Sequence, residues 1–219
     1  MSLPLRYEWQ MRQQPGYIPA LGNFYIMTSL CVFCGSSPGK DDDYLNAARH
    51  LGQLLAEREI TLIYGGGSVG LMGAVANATL RAGGRAVGVI PRHLWNKEVG
   101  HRGLSDLFIV DSMHERKAKM AEMSDGFIIL PGGIGTLEEF FEIWTWCQLG
   151  IHSKPFGVLD VNGYWKHLLT FLDVMTGEGF LKPDHRSMVQ IARDPAALIE
   201  SLASSTPPLS DGLLDLARS

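Results

Sequence analysis

From Thr28 onward, short runs rich in Val and Ile alternate with longer stretches of helical periodicity, strand then helix throughout. That rhythm restricts the chain to an α/β architecture: a doubly wound parallel sheet with helices on both faces. The strand-like runs are 30–33, 61–64, 86–90, 107–110, 126–130 and 155–160, with a short seventh at 188–191. Helical patterns occupy 42–57, 69–82, 113–123, 137–149, 164–178 and 195–202. Nothing resembling a linker or an internal repeat divides them, so residues 28–203 are expected to form a single domain. Residues 1–27 carry Pro4, Pro15 and Pro19 without sustained periodicity and read as an extension, and 204–219 read as a tail.

In open parallel sheets the ligand crevice lies beyond the carboxyl ends of the strands. The 25 glycines matter for that reason, because three glycine-bearing loops fall at such ends. Other broad partners are argued against. A net charge of −4 gives no basic field to draw the chain onto nucleic acid. No apolar run approaches the roughly 18 residues of a membrane span, and the start lacks the pattern of a secretion signal. Three cysteines do not make a disulfide framework, which suits a reducing, cytoplasmic location. The histidines have no metal-ligand spacing, so no metal is expected.

The first strand runs into C-G-S-S-P-G at 34–39, where Gly35 and Ser36 could expose backbone N–H groups and a hydroxyl to a phosphate or ribose. A plain strand-to-helix turn is equally consistent with that loop. Cys31 and Cys34 have the spacing of a redox or metal pair, but no second pair exists and Cys31 sits inside the strand, which favours a buried thiol. The second strand meets Y-G-G-G-S-V-G-L-M-G at 64–73, a formal match to the dinucleotide fingerprint G-x-G-x-x-G through Gly65, Gly67 and Gly70. Its acidic ribose partner should end the next strand, where Ile90, Pro91 and Arg92 stand instead. No Lys-Ser or Lys-Thr follows the glycines, which excludes a Walker loop. What survives is a tight turn at Gly66 and Gly67 feeding a helix N-terminus, a setting that suits an anion.

The fifth strand ends in P-G-G-I-G-T at 131–136, and the helix that follows offers unpaired N–H donors and the positive end of its dipole. Thr136 and Glu139 have the spacing of a capping box, so the residues leave capping and catalysis equally open for Glu139. On a helical projection Leu137, Phe140, Phe141, Trp144, Cys147 and Gln148 share one face, while Glu139 sits beside Ile143 and Trp146 on another. A helix with two apolar flanks would meet the sheet with one and a second subunit with the other, bringing Glu139 near an interface. Ser112 and Glu115 mark another helix start. Arg116, Lys117 and Lys119 crowd its first turns against the dipole, a conflict that an anionic ligand would remove.

These segments resemble the LONELY GUY-type phosphoribohydrolases, a family long labelled as possible lysine decarboxylases. The resemblance covers roughly residues 29–202. It rests on C-V-F-C-G-S-S at 31–37, the glycine loop at 64–73, M-H-E-R-K at 113–117, P-G-G-I-G-T-L-E-E at 131–139 and W-C-Q-L-G-I-H at 146–152. It implies a Rossmann-like fold, a homodimer, and release of a free adenine-type base and ribose 5-phosphate from cytokinin riboside 5'-monophosphates, or from AMP in some members. It also implies catalysis by Arg116 and Glu139, with the nucleotide contacted by Glu98, Lys117 and the stretch Gly132, Gly133, Ile134, Gly135, Thr136, Leu137 and Glu138. Ile134 stands where the family often has Tyr.

Breaking an N-glycosidic bond builds positive charge on the ribose, so the chemistry wants a carboxylate near the sugar and a means of activating water. Gly133, Gly135 and Thr136 would hold the 5'-phosphate, Arg116 would clamp the nucleotide, and Glu139 would orient water or stabilise the oxocarbenium-like transition state. No cofactor is expected, since no segment provides a recognisable pyridoxal phosphate site. A different class of reading is a non-catalytic nucleotide carrier or sensor on the same fold.

Overall fold

The computed structural model describes residues 27–95 and 100–205. The expectations for the N-terminal extension, the C-terminal tail and Glu98 therefore lie outside the described residues, save for Met27, Ser204 and Ser205. Seven strands form one parallel sheet: β1 (Ser29–Phe33), β2 (Thr61–Tyr64), β3 (Ala86–Pro91), β4 (Asp106–Val110), β5 (Gly126–Ile129), β6 (Phe156–Leu159) and β7 (Val189–Ala192). Their order is β4-β3-β2-β1-β5-β6-β7. Around them lie α1 (Asp42–Glu57), α2 (Gly70–Arg81), the short α3 (Arg92–Leu94), α4 (Met113–Glu122), α5 (Ile134–Gln148), α6 (Lys166–Gly177), the short α7 (Pro183–Ser187) and α8 (Pro195–Ser204).

Central strands buried on both faces explain the unbroken apolar runs. Along β1, Leu30 and Val32 pack with α1, α2 and α8 through Leu51, Val75 and Leu198. Cys31 and Phe33 point the other way, among Met120 of α4, Phe140 and Trp144 of α5, and Leu172 of α6. Asp125 holds the foot of β1 against β5, accepting from the backbone and hydroxyls of Thr28 and Ser29 at 2.8–3.0 Å. The doubly wound sheet is thus the one expected, and the weak seventh run is a true edge strand.

The strand order reverses between β1 and β5, so the loops after these two strands diverge to opposite faces and leave a crevice between them. The two loops are stitched together at that point. Gly35 N–H donates to Pro131 O (3.0 Å), and Gly35 O accepts from Leu71 N–H (3.0 Å). This crevice positions the site.

Two boundaries differ from expectation in ways that bear on function. Helix α5 begins at Ile134, three residues earlier than the periodicity predicts, with Gly133 as its N-cap and no side-chain cap. Hydrophobic periodicity cannot see a first turn made of Ile, Gly and Thr. Helix α6 begins at Lys166, leaving Tyr164 in the preceding turn, where Asn162 (φ 53°) and Gly163 (φ 71°) adopt the left-handed conformation.

Candidate active site

Because α5 starts at Ile134, Thr136 lies inside its first turn and the capping-box reading of Thr136 and Glu139 is overturned. The first helical bond runs from Leu137 N–H to Gly133 O (3.1 Å), so the N–H groups of Ile134, Gly135 and Thr136 precede any acceptor in the helix. Gly133 and Gly135 are exposed, and a Cβ built on either would meet nothing within 4 Å. Ile134 between them is 82% exposed. The result is an open, uncapped helix end facing solvent beside the crevice.

The face that α5 buries also differs from the projection. Thr136, Glu139, Phe140, Ile143, Trp144 and Cys147 are buried, while Phe141 turns outward at 36% exposure. Glu139 therefore sits on the core-facing side. There it meets Arg116 of α4, Nη1 to Oε1 at 3.3 Å, with both side chains about 10% exposed. Arg116 is held from three further sides. Its Nε donates to Val89 O (3.2 Å), its Nη1 lies 3.8 Å from Met113 Sδ, and its Nη2 rests against Gly65, where a Cβ would come within 1.9 Å.

The cations expected to await an anion have carboxylate partners instead. Lys117, itself buried, pairs with Glu138 and with Glu142 Oε2 (2.8 Å), and Lys119 pairs with Glu122 (3.0 Å). Glu138 meets Lys117 at a half-exposed edge of α5. Ser112 caps α4 as expected, accepting from Glu115 N–H (3.0 Å), although Glu115 reaches back to Asp111 N–H (2.9 Å) and not to Ser112.

The remaining site expectations divide. Gly35 spends its backbone on the stitch between loops, whereas Ser36 is exposed at the crevice. Gly66 and Gly67 are buried: Gly66 O accepts from His101 N–H (2.8 Å) and Gly67 pairs with Gly100. In the second loop it is Gly65, not its two neighbours, that touches the buried arginine. Gly132 packs edge-on to Thr136, whose Oγ1 lies 2.1 Å from where a Cβ would be, and close to Gly35 N (2.9 Å from the same point). Leu137 is half-buried against the core. A cavity of about 290 Å³ opens at the stitched loops, lined by Ser36, Ser37, Tyr44, Gly132, Gly133 and Tyr164 among others. Cys31 and Cys34 are buried free thiols, as the sequence suggested, and burial pushes both thiol pKa values up. Among the described residues no cluster of three or more potential metal ligands occurs.

Burial dominates the electrostatics of Glu139, pushing its carboxyl up from 4.5 to about 7 despite the opposing pull of Arg116. A carboxyl that keeps its proton longer when folded makes folding take up a proton between these pH values. Its contribution to stability is therefore full below about pH 4.5 and falls as pH rises through 7, by up to about 3 kcal/mol. The Glu139→Gln variant lacks that titration. Its melting temperature is expected to gain on the wild type by roughly 5–10 °C between pH 5 and pH 8, and a constant difference by calorimetry would contradict the assignment.

Gly65→Ala offers a second check on the geometry. The new methyl would displace the end of the flexible Arg116 side chain without disturbing backbone. Turnover is expected to fall more than about tenfold while the melting temperature changes by only a few degrees, and unaltered kinetics would count against the position of Arg116.

Val89, Gly65, Met113 and Glu142 were not among the expected site residues. Spacing does not announce these roles: Val89, Gly65 and Glu142 act through contact with a side chain from a distant segment, and Met113 through Arg116 one turn along α4.

A sequence model of the family described as "Possible lysine decarboxylase" matches residues 72–202. The chain is 48% identical over 189 residues to a cytokinin riboside 5'-monophosphate phosphoribohydrolase of Arabidopsis thaliana, covering 86% of this chain and 82% of the relative. A second Arabidopsis thaliana protein of that name is 48% identical over 182 residues, covering 83% and 84%. Among solved structures, a molybdenum cofactor carrier protein of Chlamydomonas reinhardtii aligns with a TM-score of 0.62 at 21% identity, over 81% of this chain and 98% of that one. The molybdenum cofactor binding protein of Rippkaea orientalis aligns with the same TM-score at 22% identity, over 80% and 95%. At such identities the likeness is one of fold.

Proposed function

The chain belongs to the LONELY GUY-type family of phosphoribohydrolases, and from that membership we propose that it hydrolyses the N-glycosidic bond of adenosine 5'-monophosphates, N6-modified or plain. Water adds to C1' of the ribose, the bond from C1' to the base nitrogen breaks, and the products are a free base and ribose 5-phosphate. The observation that carries this reading is the buried Arg116–Glu139 pair beside the uncapped start of α5.

The division of labour follows from charge. Three first-turn N–H groups and the helix dipole favour the dianionic phosphate. Glu139, with a carboxyl near 7, is poised to accept a proton from attacking water or to face the positive charge that grows on the ribose ring. Arg116 holds Glu139 in place and is free to bond the nucleotide when the pair opens. Lys117 supports this arrangement indirectly, by fixing Glu138 and Glu142 on the same helix. The chemistry proposed needs neither a metal nor an organic cofactor.

We also propose a homodimer, supported by the apolar side chains that α5 and the loop after it expose: Phe141, Leu149 and Ile151. A cytoplasmic location accords with three free thiols. Among the described residues no helix is long and apolar enough to cross a membrane. The test of substrate class compares AMP, isopentenyladenosine monophosphate and adenosine at equal concentrations. Both nucleotides, or one of them, should release base far faster than the nucleoside, and equal rates with adenosine would remove the phosphate from the recognition.

A further inference from the structure

We propose that Tyr164 is a positioning residue for the phosphate-binding loop, fixing through Gly132 the direction of the Gly133 N–H. The inference rests on the functional reading above and adds to it a residue from a segment far along the chain.

Tyr164 lies just after β6, in the turn where Asn162 and Gly163 take left-handed backbone conformations. A non-glycine residue in that region carries strain and persists only where its surroundings hold it. Here they do. Asn162 Nδ2 donates to Asp43 Oδ2 (2.8 Å) and Asp41 Oδ2 (3.2 Å) at the start of α1, and Trp165 N–H donates to Asp160 Oδ1 (2.8 Å). The Tyr164 ring packs edge-on against Tyr44 of α1 (5.7 Å between centroids) and against Trp165 (4.8 Å). These contacts carry the ring over the crevice, where its Oη donates to Gly132 O at 2.6 Å.

The position of that bond gives it a consequence. A trans peptide is planar, with its C=O and N–H pointing in opposite directions. Fixing the Gly132 carbonyl toward Tyr164 therefore aims the Gly133 N–H, at the residue that precedes the first turn of α5, away from the tyrosine. A bond accepted by the carbonyl also polarises the peptide and strengthens its N–H as a donor. Gly132 is crowded by Thr136 and Gly35 where a side chain would stand, and its carbonyl is held by the tyrosine hydroxyl. A tyrosine that is 42% exposed has no need of such a bond for its own solvation.

The test is Tyr164→Phe, which removes the hydroxyl and keeps the ring. The KM for a nucleoside 5'-monophosphate should rise about three- to tenfold, the range of one hydrogen bond, with kcat within about twofold of the wild type. Weak turnover of the corresponding nucleoside should be unchanged, and inorganic phosphate, titrated by calorimetry, should bind more weakly by the same factor. An unchanged KM and unchanged phosphate affinity would overturn the proposal, as would loss of kcat at constant KM. If the wild type releases no base yet Tyr164→Phe weakens phosphate binding, the hydrolase reading falls and the role of Tyr164 stands.

Discussion

Glu139→Gln is expected to lower turnover by about a thousandfold or more while leaving nucleotide affinity within a few-fold of the wild type. The amide preserves the size of the side chain and can still face Arg116, so the fold and the phosphate cradle lose little. What it cannot do is accept a proton from water or present full negative charge to an oxocarbenium-like ribose. Loss of general base action alone is worth roughly 10²–10⁴ in rate, and loss of the charge adds to it. Burial strengthens the expectation, because at about 10% side-chain exposure solvent has little room to substitute for the missing carboxylate. Single-turnover kinetics with AMP, paired with an equilibrium titration, separates the two effects. A Gln variant at wild-type rate would end the assignment.

Arg116→Met should produce the second largest effect, and a different signature. The guanidinium draws the Glu139 carboxyl down against the effect of burial, and in the proposed mechanism it also binds the nucleotide. Without it, Glu139 is expected to hold its proton to a higher pH than the wild type does, and a larger share of the enzyme is inactive at pH 7. Turnover should fall about a hundredfold or more, with the loss partly recovered as pH is raised toward 9. The rising limb of the pH–rate profile, expected near 7 in the wild type, should move upward in the variant. A rate that falls equally at every pH would mean that Arg116 acts on the substrate alone.

The sheet, its order of elements and the loop that carries the site were legible because they rest on local signals. Val- and Ile-rich runs fix where strands lie, and the glycines of 131–135 can serve neither strand nor helix core. The Ser112 cap was legible for the same reason, a short polar residue three positions before a carboxylate. The start of α5 was not, since its first turn is Ile134, Gly135 and Thr136 and its N-cap is a glycine. That three-residue error carried a false function for Glu139, as a capping partner. The projection of α5 failed as well: it grouped Phe141 with the core and set Glu139 opposite, whereas packing against α4 and the sheet buries Glu139 and leaves Phe141 outside.

The pairing of Arg116 with Glu139 reached the sequence reading only as part of a family pattern. The helix start marked by Ser112 and Glu115 singles out Arg116 and its neighbours as cations in conflict with a helix dipole, a conflict that a bound anion would relieve. The structure answers with carboxylates of α5, one for Arg116 and two for Lys117. Spacing in the sequence gives no measure of which side chains meet across two helices. Gly65 and Tyr164 were illegible for a related reason: the first matters because an arginine far along the chain lies on it, the second because its hydroxyl reaches a carbonyl 32 residues away.

The fold is shared with proteins named as cofactor carriers, so chemistry and binding have to be separated by experiment. The most direct measurement is the product balance when the wild-type protein is incubated with a nucleoside 5'-monophosphate, AMP and isopentenyladenosine monophosphate being tried in parallel. The account predicts free base and ribose 5-phosphate appearing in equal amounts over many turnovers, at a rate abolished in Glu139→Gln. Saturable binding of both nucleotides with no base released would contradict it and leave a carrier or sensor in its place.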